Sequence, residues 1–132
     1  MLLPTTSAMT GLVEAVRIHD PHGWSSGTST PPDESIAHWE DAQEVLALVA
    51  ALPSSPAMRC FIPGYAIRAH CEPGRLFEGQ VLFEIAFCFQ CRWARFRGPA
   101  VTADIASQAF DPASAPALEL LRRFRESAAA AG

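Results

Sequence analysis

The chain has 132 residues, 49% hydrophobic and 18% charged, which predicts one domain over residues 1–132 with its own apolar core. All ten basic residues are arginines, which excludes Schiff-base and lysine-nucleophile chemistry as well as a P-loop. The net charge of −4 disfavours nonspecific nucleic-acid binding, because such binding requires cations that neutralise phosphates. Residues 1–56 carry seven acids against one arginine, so this half predicts an acidic surface suited to a basic partner.

No targeting segment is evident at the start of the chain. Residues 1–10 lack the basic and apolar stretches of a secretory leader, and no later run reaches the roughly 18 apolar residues of a membrane span. We therefore expect a cytoplasmic protein without a membrane partner, whose residues 1–10 are flexible. In that compartment cysteines are thiols or metal ligands more often than disulfides.

A first strand is predicted from Leu12 to Ile18, where apolar side chains fall mainly on one face. Residues 19–32 are rich in Asp, Pro, His, Gly, Ser and Thr, which favour turns, so they predict a long surface loop. Loops of that length are uncommon in compact domains unless they are functional or disordered, which makes this one a candidate contact region.

A helix is predicted from residue 34 to residue 52. Pro31 and Pro32 suit its first turn, apolar residues then recur at helical spacing, and Pro53 ends it. The acidic residues on its outer side are Glu40, Asp41 and Glu44.

Two short strands are predicted at 58–62 and 65–71, separated by the turn signal Pro63-Gly64. A much longer strand follows, because every second residue from Val81 to Trp93 is apolar. We expect this strand to reach about Phe96, with a bend or bulge near Gln90 to Arg92.

The last elements are a strand from Ala100 to Ala106 and a helix over 114–127 with Ser114 as its N-cap. Residues 128–132 are expected to be flexible. The elements together predict an α+β fold, in which an antiparallel sheet of about four strands is covered by helices at 34–52 and 114–127.

The cysteine spacing raises a zinc or redox alternative. Cys88 and Cys91 form a C-x-x-C pair, but residues three apart on a continuous strand point to opposite faces. A shared metal would need the chain to turn at Phe89-Gln90, where neither Gly nor Asn stands. The ligands of such a zinc site would be Cys71, Cys88, Cys91 and His70. Without the turn we expect structural thiols and no cofactor, and a thioredoxin-type role fits poorly because the pair does not open a helix.

Two further motifs lie in the polar loop. Gly23 to Gly27 matches Gly-x-Ser-x-Gly, but a nucleophile elbow requires a strand directly before Ser25 and a helix directly after it. His19, Asp20 and His22 could ligate a metal, yet spacing fixes no third strong ligand. We therefore assign no catalytic residues and expect no enzyme.

A cluster of arginine and tryptophan lies near the end of the long strand. Such clusters occur on single-strand nucleic-acid platforms, but Arg and Trp are also favoured anchors of protein interfaces. Because the net charge is acidic, we favour contact with another protein. The candidate contact residues are Glu40, Asp41, Glu44, Arg92, Trp93, Arg95 and Arg97.

Cys60-Phe61-Ile62-Pro63, followed by Ile85 to Cys91 and by Leu120-Leu121, resembles small uncharacterised bacterial proteins. In these a C-x-x-P segment precedes an I-C-F-x-C strand and a terminal helix. The resemblance covers roughly the second half of the chain. It implies a compact α+β fold and implies no activity.

The sequence therefore favours a noncatalytic protein-interaction module, of the kind that includes inhibitors and immunity proteins. The alternative, from a different class, is a thiol-dependent zinc-binding or redox protein that uses the C-x-x-C pair.

Overall fold

One antiparallel sheet of six strands organises the fold, and the computed structural model describes residues 1–27, 33–56 and 58–132. The strands are β1 (Thr10–Arg17), β2 (Glu34–Trp39), β3 (Tyr65–Cys71), β4 (Val81–Cys88), β5 (Trp93–Arg97) and β6 (Ser107–Ala109). Their order across the sheet is β2-β1-β3-β4-β5-β6. The predicted α+β class with an antiparallel sheet is confirmed, but the sheet has six strands and not about four.

The described residues also form α1 (Pro21–Ser26), α2 (Ala42–Ala50), α3 (Ala115–Ala131) and a 3₁₀ helix at Thr5–Met9. The core lies between one face of the sheet and the helices α2 and α3, and its large buried side chains include Val13, Ile67, Phe83, Phe87 and Phe124. On the opposite face, here called the outer face, Trp24 of α1 packs against Val16, Ala66 and Ala86. None of these helices combines the length and the apolar character that a membrane crossing requires.

The predicted long strand is a hairpin. β4 ends at Cys88, the chain turns from Phe89 to Arg92, and β5 begins at Trp93 directly opposite Cys88. Arg92 adopts the left-handed φ of 61° that completes the turn, so neither Gly nor Asn is needed there. A continuous alternation from Val81 would place Trp93 on the core face and Phe96 on the other face. Because the chain turns, Phe96 is in the core and Trp93 lies on the outer face.

The segment predicted as one helix over 34–52 contains β2 and then the shorter α2. Pro31 and Pro32, which were placed in the first turn of that helix, lie outside the described residues. β2 pairs with β1 and supplies partners for backbone N–H and C=O groups that a helix would leave unpaired. Ile36 and Trp39 nevertheless pack against the core, which explains why the apolar spacing resembled that of a helix.

Of three further predicted strands, one is present in the structure and two are not. The strand predicted at 65–71 is β3, and its odd-numbered residues pair with odd-numbered residues of β4. Residues 58–62 and 100–106 form no strand, and β6 follows the second of these segments.

Both ends of the chain pack against the rest of the protein. The amino group of Met1 donates hydrogen bonds to the carbonyl oxygens of Ala50 at 2.9 Å and Leu52 at 2.8 Å. The helix predicted at 114–127 is α3, which continues to Ala131 through most of the tail that was expected to be flexible. The loop predicted at 19–32 contains α1, and its residues 28–32 lie outside the described part of the chain.

Gly98 allows the chain to leave β5 close to β4. Its φ is 146°, and a Cβ there would lie 2.7 Å from the carbonyl oxygen of Leu82 and 2.9 Å from the Cα of Phe83. We expect Gly98→Ala to lower the free energy of unfolding by about 1–3 kcal/mol, because backbone atoms must move to admit the methyl group. The measurement is urea unfolding followed by circular dichroism.

Gly64→Ala is the matched control, since a Cβ at Gly64 would meet no atom within 4 Å. Its effect should stay below about 0.5 kcal/mol. Equal urea midpoints for the two variants would contradict the steric role of Gly98.

Candidate functional site

Five titratable side chains form a row across the outer face, one from each of five neighbouring strands. The strand register places them directly opposite one another in the order His38, Glu14, Arg68, Glu84, Arg97. We call this set the charged row. Side chains at directly opposed positions have Cβ atoms about 4.5–5.5 Å apart, so each carboxylate lies within reach of an arginine.

Glu84 is the most buried member of the charged row, with 5% of its surface exposed. Its Oε1 accepts hydrogen bonds from Trp24 Nε1 at 2.9 Å and from Arg97 Nε at 2.6 Å. Its Oε2 accepts one from Arg68 Nε at 2.5 Å. Arg97 also donates to the carbonyl oxygen of Trp24 at 2.7 Å and lies over the Trp24 ring. The Glu84 carboxylate therefore ties α1 to three strands, and charged hydrogen bonds offset the cost of its burial.

Glu14 occupies the next acidic position in the row. Its carboxylate lies 3.0 Å from His70 Nε2 and 3.5 Å from Arg68 Nη1. Burial by itself would raise the pKa of Glu14, but hydrogen bonds from His70 and Ser35 and the charge of Arg68 lower that pKa below its ordinary value. His70, which was predicted as a zinc ligand, therefore contacts a carboxylate.

Exposed arginines surround the β4–β5 turn at one end of the sheet. Within the described part of the chain, four arginines are exposed and have no carboxylate at ion-pair distance: Arg59, Arg92, Arg95 and Arg125. Residues 58–61 run beside the turn, since the Met58 N–H donates to the Cys91 carbonyl at 3.3 Å and Trp93 Nε1 donates to the Met58 carbonyl. We call these four arginines, with Met58, Phe61 and Ile62, the arginine surface.

Aromatic and apolar side chains support the arginine surface. The guanidinium carbon of Arg95 lies 4.2 Å from the centroid of the Phe61 ring, whose centroid is 6.2 Å from that of Trp24. Met58 and Ile62 expose 50% and 60% of their surfaces. A surface cavity of about 300 Å³ next to Ile62 is also lined by Arg125. Cations and exposed apolar groups thus lie side by side.

The acidic residues proposed for interaction lie at the opposite end of the sheet, beyond the pairing of Thr10 with Cys71. Glu40, Asp41 and Glu44 surround the start of α2 and, with Glu72, line a shallow depression. Asp41 Oδ2 lies 2.6 Å from Arg123 Nη2 of α3, and this hydrogen bond lowers the pKa of Asp41. Asp41 therefore already forms an ion pair within the same molecule.

The structure divides the seven predicted interaction residues among three places. Glu40, Asp41 and Glu44 stand at the acidic end, and Arg92, Trp93 and Arg95 stand at the β4–β5 turn. Arg97 belongs to the charged row and is held there by Glu84.

Three of the four cysteines meet beside the arginine surface. Cys60 Sγ lies 2.7 Å from Cys91 Sγ, and Cys88 Sγ accepts a hydrogen bond from the Cys91 N–H at 3.2 Å. The hydrogen bond with Cys91, followed by desolvation, raises the pKa of the Cys60 thiol.

The predicted zinc ligands do not converge. Cys71 and His70 stand at the far end of β3, about 20 Å from Cys88 and Cys91 at the strand rise of roughly 3.3 Å per residue. Across residues 1–27, 33–56 and 58–132, no group of three His, Cys, Asp or Glu side chains is placed to hold a metal ion.

The two motifs of the polar loop lie in α1 and in the residues that directly flank it. Asp20 caps this helix, with Oδ1 accepting a hydrogen bond from the Gly23 N–H at 3.0 Å. His19 Nε2 lies 3.3 Å from a Glu34 carboxylate oxygen. Ser25 lies exposed inside α1, and no strand leads directly into it as a nucleophile elbow would require. The buried residues of the Gly-x-Ser-x-Gly match are Gly23 and Trp24.

Sequence reasoning missed the contacts of Trp24, Arg68 and Glu84, and it missed Cys60 as the neighbour of Cys91. A signal was present for the first three: two charged residues interrupt apolar strands, and a large aromatic residue stands in a polar loop. Their mutual contacts depend on strand register, which local patterns do not specify.

Comparison with known proteins gives no relative from which to transfer a function. No family model, curated protein or solved structure matches this chain. The surfaces described above therefore carry the functional interpretation by themselves.

Glu84→Gln should destabilise the protein by about 2–4 kcal/mol, because Arg68 and Arg97 would then face a neutral amide in a poorly solvated site. Urea unfolding at about pH 7 measures the change. Glu119→Gln removes a carboxylate from an exposed pair with Arg122 and should leave the urea midpoint close to that of the wild type. Similar losses in both variants would show that Glu84 has no special structural role.

Glu14→Gln should give a stability loss that depends on pH. Because the folded pKa of Glu14 is lowered, its contribution is complete above the unfolded value of 4.5 and disappears as pH falls through the lower folded pKa. We expect a deficit of about 1 kcal/mol at pH 7 that shrinks below about pH 4. Urea titrations across this range measure it, with the exposed Glu78→Gln as control. A deficit that stays constant down to about pH 3 would argue against the lowered pKa.

Proposed function

We propose that the protein is a noncatalytic protein-binding module, of the kind that includes inhibitors and immunity proteins, and that its arginine surface contacts an acidic patch of the partner. One observation carries this proposal. Four exposed arginines lack a carboxylate partner among the described residues, whereas the other six of the ten arginines each pair with an acid. The partner charge is thus the opposite of what the acidic first half of the sequence suggested.

The composition of the arginine surface supports a protein contact. Arginine and aromatic residues are enriched among the residues that dominate binding energy at protein interfaces. Stacking over Phe61 restrains the Arg95 guanidinium before any partner arrives, which reduces the entropy lost on binding. Exposed Met58 and Ile62 add apolar area beside the cations.

A protein partner fits the surface better than a single-stranded nucleic acid. Base stacking needs open aromatic faces, but Arg95 covers the Phe61 ring and Trp24 is 3% exposed beneath Arg97. The net charge of −4 also opposes the long-range attraction of a polyanion.

The acidic end is the weaker contact candidate. Arg123 neutralises Asp41, which leaves Glu40 and Glu44 as exposed acids in a shallow depression. The arginine surface includes the exposed apolar side chains of Met58 and Ile62, whereas no large apolar side chain among the described residues lines this depression.

Charge reversal at Arg59 and Arg92 tests the arginine surface. Immobilised protein captures candidates from a lysate of the cells that produce it, and calorimetry then measures affinity for a captured acidic protein. We expect Arg59→Glu combined with Arg92→Glu to weaken this binding by about tenfold or more, because the new carboxylates repel those of the partner. Added salt should weaken wild-type binding by screening the same charges.

The matched control is Arg75→Glu combined with Arg122→Glu, which changes the net charge equally at exposed sites outside the arginine surface. Circular dichroism verifies that both double variants are folded. The control should bind within about twofold of the wild type. Unchanged binding by the first double variant, or tighter binding to a single-stranded oligonucleotide than to any captured protein, would refute the proposal.

A further inference from the structure

Cys60 and Cys91 face each other where residues 58–61 contact the β4–β5 turn. Their sulfur atoms are 2.7 Å apart, with Cys60 exposed and Cys91 buried. We propose that Cys60 and Cys91 form a reversible intramolecular disulfide bond that locks residues 58–61 onto the turn. Because a disulfide has an S–S length of about 2.05 Å, the sulfurs must approach by roughly 0.7 Å.

The segment that would be locked has few other restraints. Residues 58–61 belong to no helix or strand. They contact the hairpin through the Met58 backbone, which bonds to Cys91 and Trp93, and through the stack of Phe61 with Arg95. A covalent link at Cys60 would therefore restrain this segment much more strongly than its noncovalent contacts do.

The other two thiols are less suitable partners for Cys60. The Cys88 sulfur accepts a hydrogen bond from the Cys91 N–H, and Cys88 is buried at the end of β4. Cys71 is buried near the opposite end of β3. Exposure makes Cys60 the thiol that a reagent reaches first, and Cys91 is the thiol in contact with it.

A small disulfide such as oxidised glutathione supplies the oxidant. The Cys60 thiolate attacks one glutathione sulfur, the S–S bond of the reagent breaks, and one glutathione thiolate leaves. The Cys91 thiolate then attacks the Cys60 sulfur of the mixed disulfide and releases the second glutathione. Two electrons pass from the cysteines to the reagent, and the two thiol protons end on the two released glutathiones. A dithiol reductant reverses the reaction.

Peptide mapping tests the bond directly in the wild-type protein. After treatment with oxidised glutathione and alkylation of free thiols, nonreducing trypsin digestion cuts after the arginines. We expect peptide 60–68 to be joined to peptide 76–92, with two hydrogen atoms fewer than the separate peptides and with Cys71 alkylated. Fragmentation of the joined peptides distinguishes Cys88 from Cys91, which share peptide 76–92.

Variants provide the matched controls. The link should persist in Cys88→Ala and be absent in Cys91→Ala and Cys60→Ala. A Cys88–Cys91 bond, glutathione retained on Cys60 alone, four unmodified thiols, or stoichiometric zinc on Cys60, Cys88 and Cys91 that prevents oxidation would each overturn the proposal.

The conformational effect has its own readout, and it requires no partner protein. In the oxidised wild type, amide hydrogen exchange should slow over residues 58–61, and the melting temperature should rise by roughly 5–10 °C because a loop between positions 31 residues apart is closed. Both changes should disappear on reduction. A mapped bond with unchanged exchange and melting would overturn the locking role.

Discussion

The outer face of the sheet depends on the hydrogen bonds that the buried Glu84 carboxylate accepts from Trp24, Arg68 and Arg97. An unpaired carboxylate in a poorly solvated site costs several kcal/mol, so Glu84 is stable there only with Arg68, Arg97 and Trp24 in fixed positions. Since Trp24 is the large buried residue of α1, the same bonds hold that helix over Val16, Ala66 and Ala86. One acid therefore joins a helix to three strands.

The same network extends to the proposed binding surface. Arg97 lies over Trp24, the Trp24 ring contacts Phe61, and Arg95 lies over Phe61. These alternating cations and rings connect a buried carboxylate to exposed guanidinium groups. Buried interactions can thus restrain surface cations that have no acid of their own, which favours binding by reducing the entropy lost on association.

Charge is separated along the strands. The arginine surface lies at the β4–β5 turn, while Glu40, Glu44 and Glu72 lie at the other end of the sheet. Such an asymmetry orients an approaching charged partner. The Cys60–Cys91 contact joins the two segments that carry Arg59 and Arg92, so the proposed disulfide would restrain part of the same surface.

The sequence by itself determined that residues 81–88 and 93–97 are extended and that the chain ends in a helix, because alternation and helical spacing depend only on which side chains are buried. It did not determine the turn between those strands. Phe89 packs against Phe110 and Phe124 when the chain turns, and these distant rings enter no local pattern. Likewise, β2 is a strand whose backbone pairs with β1, and local spacing in the sequence does not encode that pairing. Only the tertiary structure decided which thiols, acids and arginines meet, because register and packing join residues far apart in the chain.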